Sequence, residues 1–159
     1  IRLFVISLKR AARAEVDQML SQIRAASAHC VEAEHYNRHI SWDQAREMRD
    51  AGVTFASHAL SHNLLPRLSP DRQQRELTES KEILERELGE PVYAIAYPNG
   101  DYDEAVLKGT RTAGYTLGFS TREGLFEVGS DAFTIPRFNV HGHNGHTAAR
   151  FKCAIGNLF

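Results

Sequence analysis

The chain has 159 residues, 19 Lys and Arg against 20 Asp and Glu, and a formal net charge of -1. That length suits one domain with one core, and basic residues scattered among acids give no electrostatic reason for nucleic acid or an anionic membrane as partner. The two cysteines, Cys30 and Cys153, stand far apart with no CxxC pattern, which excludes a zinc ribbon and speaks against a disulfide framework while leaving a single disulfide open.

The chain opens without Met on the apolar run Ile1 to Ile6, read here as a chain cut or incompletely represented at its start. No signal peptide is visible, and no apolar stretch is long enough to be a transmembrane segment. Leu3 to Ser7 suits a buried strand, and Arg13 to Ala26 a helix, with Val16, Met19, Leu20 and Ile23 at helical spacing. Ser41, followed three residues on by Gln44, predicts a capping box and a helix ending near Gly52. Val53 to Ser57 is the next expected strand. Ser69-Pro70 starts a helix that stops at Gly89, with Leu77, Ile83, Leu84 and Leu88 as its buried stripe. Val92 to Ala96 reads as a strand, and Pro98-Asn99-Gly100 as a turn. A helix over Asp103 to Ala113, a strand over Tyr115 to Ser120, an irregular strand over Phe133 to Val140 and a short helix over Thr147 to Ile155 complete the pattern. Strands alternating with helices imply an α/β fold of parallel βαβ units, in which chemistry gathers in the loops after the strands.

Three clusters fall in such loops. His58 and His62 are four apart in Ser57-His58-Ala59-Leu60-Ser61-His62, so one helical turn would put both imidazoles on one face, as two ligands of a divalent ion. Taken alone, the pair is a weak signal in a chain with eight histidines and reads rather as two solvated or capping side chains. Tyr97-Pro98-Asn99-Gly100 is a turn able to present a backbone N–H to an oxyanion, or a plain surface turn. Arg137 near a strand end suits the holding of a carboxylate or a surface salt bridge, and the trailing His141, His143 and His146 read as a loop before a metal tract.

The ordered series Ser57 to His62, Ser69 to Leu88, Tyr97 to Gly100, Ala113-Gly114-Tyr115 and Pro136-Arg137, preceded by Ile40 to Gln44 and Ala51-Gly52, resembles the polysaccharide deacetylase family, carbohydrate esterase family 4, in its poly-N-acetylglucosamine deacetylase-like branch. The resemblance implies a single deacetylase-type domain over residues 1–159, a distorted (β/α) barrel incomplete at its N-terminus. It implies a metal-dependent hydrolase that removes N-acetyl groups from amino-sugar polymers or oligomers. His58 and His62 would be ligands of a divalent metal, commonly zinc. The N–H of Asn99 would complete an oxyanion site, Tyr97, Pro98 and Gly100 of the same turn would meet substrate, and Arg137 would hold the general base. The implied partner is an N-acetylated glycan, and the implied location is the cell envelope or the cell exterior.

The family pattern departs at one place. Its metal-binding aspartate and its base come from a Thr-Phe-Asp-Asp-like motif one strand upstream, and no Asp-Asp occurs in this sequence. The earlier Tyr-His-like motif is absent too, leaving His141 or His143 as substitute acids. Asp101, Asp103 and Asp131 are replacement carboxylates in principle only. The alternative is therefore a catalytically inactive module of the same fold that binds glycan or assembles with a partner. Such a barrel, short of its first strands, would expose an edge through which copies self-associate.

Overall fold

A computed structural model describes residues 13–26 and 39–139. The chain divides into two units, Ile1–His39 and Ile40–Phe159. In the first, α1 spans Arg13–Ala26, the range its apolar spacing predicts, with Glu15 in its first turn. The strand expected at Leu3 to Ser7 and the helix expected at Thr147 to Ile155 lie outside the described residues.

The second unit begins with α2, Trp42–Asp50. Ser41 and Gln44 form the reciprocal capping box the sequence predicts, the Gln44 N–H donating to Ser41 Oγ at 3.2 Å and the Ser41 N–H to Gln44 Oε1 at 2.8 Å. The longest helix among the described residues, α3, spans Pro70–Leu88 and ends at Gly89, whose φ of 69° is the left-handed cap that glycine takes without penalty. Two arginines of α2 close that end: Arg46 donates to the Glu87 carbonyl at 3.0 Å and Arg49 to the Leu88 carbonyl. Cations there complement both the orphan carbonyls and the negative end of the helix dipole. Helix α4, Glu104–Thr112, is capped by the Asp103 carboxylate, which accepts from the Val106 N–H at 2.9 Å.

Between the helices run two short parallel strands, β1 at Ala94–Ala96 and β2 at Leu117–Phe119, paired Ala94 to Leu117, Ile95 to Gly118 and Ala96 to Phe119. An isolated parallel bridge flanks each: Ser57 with Ile95, and Ile135 with Phe119. The described residues are thus an α/β arrangement of parallel pairings made in chain order.

Two expected strands shrink to those bridges. Residues 53–56 form no strand, because Val53 is spent ending α2, its N–H donating to the Met48 carbonyl at 2.9 Å while its side chain is 42% exposed. Only Ser57 pairs, through its N–H to the Ala94 carbonyl at 2.9 Å and its carbonyl to the Ala96 N–H at 2.8 Å. Over Phe133 to Asn139, Pro136 has no N–H to extend the ladder and Thr134 turns back on Asp131, so Ile135 alone pairs.

Leu65, Leu77, Val92, Ile95, Tyr97, Val106, Leu107 and Tyr115 form the core between the strands and helices α3 and α4. Fully burying one such side chain contributes about 1.5–3 kcal/mol. The two helices approach closely at Gly109, where a Cβ would stand 3.0 Å from Leu77 Cδ1. Among the described residues no helix is long and apolar enough to cross a membrane.

Candidate functional site

His58 follows the Ser57 bridge directly, so its backbone is anchored beside β1. Its Nδ1 lies 2.6 Å from the carbonyl oxygen of Ala96, the last residue of β1. A carbonyl can only accept, so the ring carries its proton on Nδ1 and leaves the Nε2 lone pair for a metal or a proton. The His62 ring meets it edge-on, with centroids 4.8 Å apart and planes at 78°. The two imidazoles come together as expected, but not by a helical turn. Ala59 and His62 both adopt left-handed backbone, with φ of 61° and 57°. Such conformations cost on the order of 1–3 kcal/mol each for non-glycine residues and persist only where their surroundings over-determine them.

The surroundings do so. Glu76 of α3, buried at 8% exposure, accepts from backbone and side-chain donors of the loop. Its Oε2 accepts the N–H groups of Leu60 at 2.9 Å and Ser61 at 2.8 Å. Its Oε1 accepts the Ser61 hydroxyl and the Asn63 amide, the latter at 3.3 Å. Burial works against the charge, but the hydrogen bonds from Ser61, Asn63 and Leu60 outweigh it and hold the carboxyl below its ordinary 4.5. One turn along α3, Ser80 Oγ accepts from Ser57 Oγ at 2.9 Å, donates to the Leu77 carbonyl at 3.1 Å and meets Tyr115 Oη at 3.2 Å. Ser57 Oγ also accepts the Ala59 N–H at 3.2 Å. One face of α3 therefore grips the histidine loop at both ends.

The second cluster begins where β1 ends. Residues 98–100 make a single 3-10 turn in which Asn99 has φ 58° and Gly100 φ 78°. The Asn99 side chain is exposed and donates to Asp101 Oδ2 at 3.0 Å, and the Asn99 carbonyl accepts from Thr121 Oγ1 at 3.1 Å. Gly100 lies against the chain leaving β2: a Cβ there would stand 2.1 Å from Thr121 Oγ1 and 2.5 Å from the Thr121 nitrogen. Pro98 is buried. The Tyr97 side chain turns into the core and donates to the Phe133 carbonyl at 3.0 Å. What Tyr97 presents outward is the backbone of the turn it anchors. Because His58 sits on the Ala96 carbonyl, the histidine pair and this turn share the C-terminal end of β1.

Arg137 is exposed and donates from Nε to the Ser120 carbonyl at 2.7 Å, just past the end of β2. With Thr121, Glu123, Phe138 and Asn139 it lines a cavity of about 330 Å³. His141 lies outside the described residues. Among the described residues no three His, Cys, Asp or Glu side chains gather as a metal cluster. Two imidazoles, one with its tautomer fixed by a carbonyl, fit as two donors of a divalent-ion site; no third His, Cys, Asp or Glu joins them among the described residues.

The sequence reading missed Glu76 and the group of Ser57, Ser80 and Tyr115. A signal was present: Gln73, Glu76, Leu77 and Ser80 recur at helical spacing, so three polar residues share the face that buries Leu77.

A family model described as polysaccharide deacetylase matches residues 9–118. The chain belongs to the polysaccharide deacetylase family. Within that family, the protein named "Putative polysaccharide deacetylase YxkH" of Bacillus subtilis (strain 168) is 30% identical over 105 residues, which are 66% of this chain and 38% of YxkH. Among solved structures, the Streptococcus pyogenes deacetylase PplD in complex with acetate aligns with a TM-score of 0.64 at 30% identity, covering 66% of this chain and 46% of PplD. BC0361, a polysaccharide deacetylase from Bacillus cereus, aligns with a TM-score of 0.66 at 31% identity, covering 72% of this chain and 36% of BC0361. The chain spans less than half the length of each of these three polysaccharide deacetylases.

Proposed function

We propose that this chain carries the metal-binding histidine pair and the oxyanion turn of a hydrolase that removes N-acetyl groups from amino-sugar polymers or oligomers. The carrying observation is the junction at the end of β1, where the Ala96 carbonyl fixes the tautomer of His58 one residue before the Tyr97–Gly100 turn begins. Membership of the polysaccharide deacetylase family supports a glycan as substrate.

In this reading His58 and His62 hold a divalent ion, zinc by the chemistry of its donors, within a distorted (β/α) barrel. Once bound, the ion supplies Lewis acidity at the acetyl carbonyl. The chain's own groups supply the oxyanion donor, the orienting arginine and the acid, while the base belongs to the Asp-Asp motif that this sequence does not contain. The Asn99 backbone N–H faces the oxygen that gains charge, held there by the left-handed turn and by Thr121 on the Asn99 carbonyl. Arg137, tethered to the end of β2 through the Ser120 carbonyl, orients the carboxylate that takes the proton from the attacking water. His141 returns a proton to the leaving amine. The products are a free amino sugar and acetate, formed at the cell envelope or outside the cell.

The test is acetate release from N-acetylglucosamine oligomers by the full chain, with zinc or cobalt added. His58→Ala is expected to abolish release, and activity surviving that substitution refutes the mechanism. Retention of the oligomers without any release would instead favour a glycan-binding module of this fold.

A further inference from the structure

We infer that Glu76 is a positioning residue that templates the His58–His62 pair for metal binding, an inference that rests on the metal-holding reading above. Glu76 is a buried carboxylate in the second unit that the proposed mechanism does not use. Its geometry says what it does. Oε2 is taken by two backbone N–H groups and Oε1 by a hydroxyl and an amide, all four from residues 60, 61 and 63. A carboxylate so engaged is turned toward the loop backbone and does not serve as a ligand itself.

The loop needs such a partner. Of its two left-handed residues, Ala59 directly precedes the segment Glu76 binds and His62 lies within it, and neither is glycine. Ser80, four residues on along α3, holds Ser57 at the start of the loop. His58 and His62 thus project from a backbone fixed at two points to one rigid helix, with the Ala96 carbonyl as a third constraint on His58. A ligand pair held this way loses little freedom when it takes up an ion, and partners of this kind change metal affinity by about 10–100-fold when removed.

Glu76→Gln separates geometry from charge. The glutamine oxygen can accept the Leu60 and Ser61 N–H groups and its amide can donate to the Ser61 hydroxyl, so only the Asn63 contact is given up and the backbone contacts persist without the negative charge. Glu76→Ala removes all four contacts. Leu77→Ala, next along the same helix and fully buried, weakens the fold while leaving the four contacts of Glu76 in place.

The experiment is a titration of the full-length protein with Co2+, read by its visible ligand-field band, with circular dichroism confirming folding of each variant. Expected are a loss of Co2+ affinity of about tenfold or more for Glu76→Ala, with an altered band. Glu76→Gln should stay within about threefold of the parent. Folded Leu77→Ala should match the parent. Unchanged affinity and band in Glu76→Ala overturn the inference, and so does a Glu76→Gln variant as weak as Glu76→Ala, since charge would then be the cause. If Glu76→Ala does not fold, exposed Ser61→Ala carries the test from the loop side: a fall of about threefold is expected, and no change overturns the inference. His58→Ala keeps the two levels apart. Affinity equal to the parent there removes the metal-holding reading itself, whereas a loss there with none in the Glu76 variants removes only the role of Glu76.

Discussion

Replacing Gly100 by Ala puts one methyl group into the contact between the turn after β1 and the chain leaving β2. Two costs add. The backbone at φ 78° lies in the left-handed region, where a Cβ costs about 1–2 kcal/mol. The same Cβ would stand 2.1 Å from Thr121 Oγ1, 2.5 Å from the Thr121 nitrogen and 2.7 Å from Thr121 Cβ, all below contact distance. Overpacking of that kind costs about 1–3 kcal/mol more. The sum, about 2–5 kcal/mol, corresponds to a fall in Tm of roughly 4–20 °C for a chain of this size. Urea unfolding of both proteins at equal m-value measures it. The second substitution Thr121→Ala sharpens the test, because it removes Oγ1 but leaves the backbone nitrogen and Cβ in place. It should recover no more than about 1 kcal/mol. A Gly100→Ala protein within about 0.5 kcal/mol of the parent, or full recovery by Thr121→Ala, would refute the view that the turn rests on the backbone of β2's exit.

Other outcomes follow from the buried polar groups. Tyr115→Phe removes a hydroxyl that donates to the Leu77 carbonyl at 3.0 Å and meets Ser80 at 3.2 Å, so a loss of about 1–2 kcal/mol is expected in urea unfolding. Glu76 has a folded pKa below its ordinary 4.5, so its stabilisation is present above 4.5 and is lost as pH falls through the lowered folded value. Urea midpoints of the parent should therefore drop more steeply than those of Glu76→Gln from about pH 6 to about pH 3, and parallel slopes would contradict it. Burial pushes the Tyr97 phenol up to about 12, so its phenolate absorbance should appear well above the ordinary 10 in an alkaline titration and vanish in Tyr97→Phe.

Much of the fold is legible in the sequence wherever a local signal decides the structure. The Ser41 and Gln44 capping box, Pro70 at the first position of α3, Gly89 at its end and the Asp103 cap are each specified by a few neighbouring residues. The strands are harder to read, because pairing is settled by distant partners. Val53 to Ala56 has the composition of a strand, yet Val53 closes α2 instead. The site divides in the same way. His58, His62 and the Tyr97–Gly100 turn announce themselves by spacing, and the structure brings them to one strand end. Glu76 does not, since its partners lie 13 to 16 residues upstream and a charged residue in a helix reads as surface until its neighbours Gln73, Leu77 and Ser80 are found buried with it.

The grip of Glu76 also ties the motions of two parts of the molecule. The amide protons of Leu60 and Ser61 are bonded to a helix side chain and to no strand. For either to exchange with solvent, the carboxylate must leave, by rotation of its side chain, by lifting of the loop or by undocking of α3 from the core. If α3 and the loop open together, those two amides will exchange at the rate of the helix interior, although Leu60 and Ser61 are themselves exposed residues. The histidine loop would then be as long-lived as the helix beneath it, and the site would stay assembled between encounters with ion or substrate.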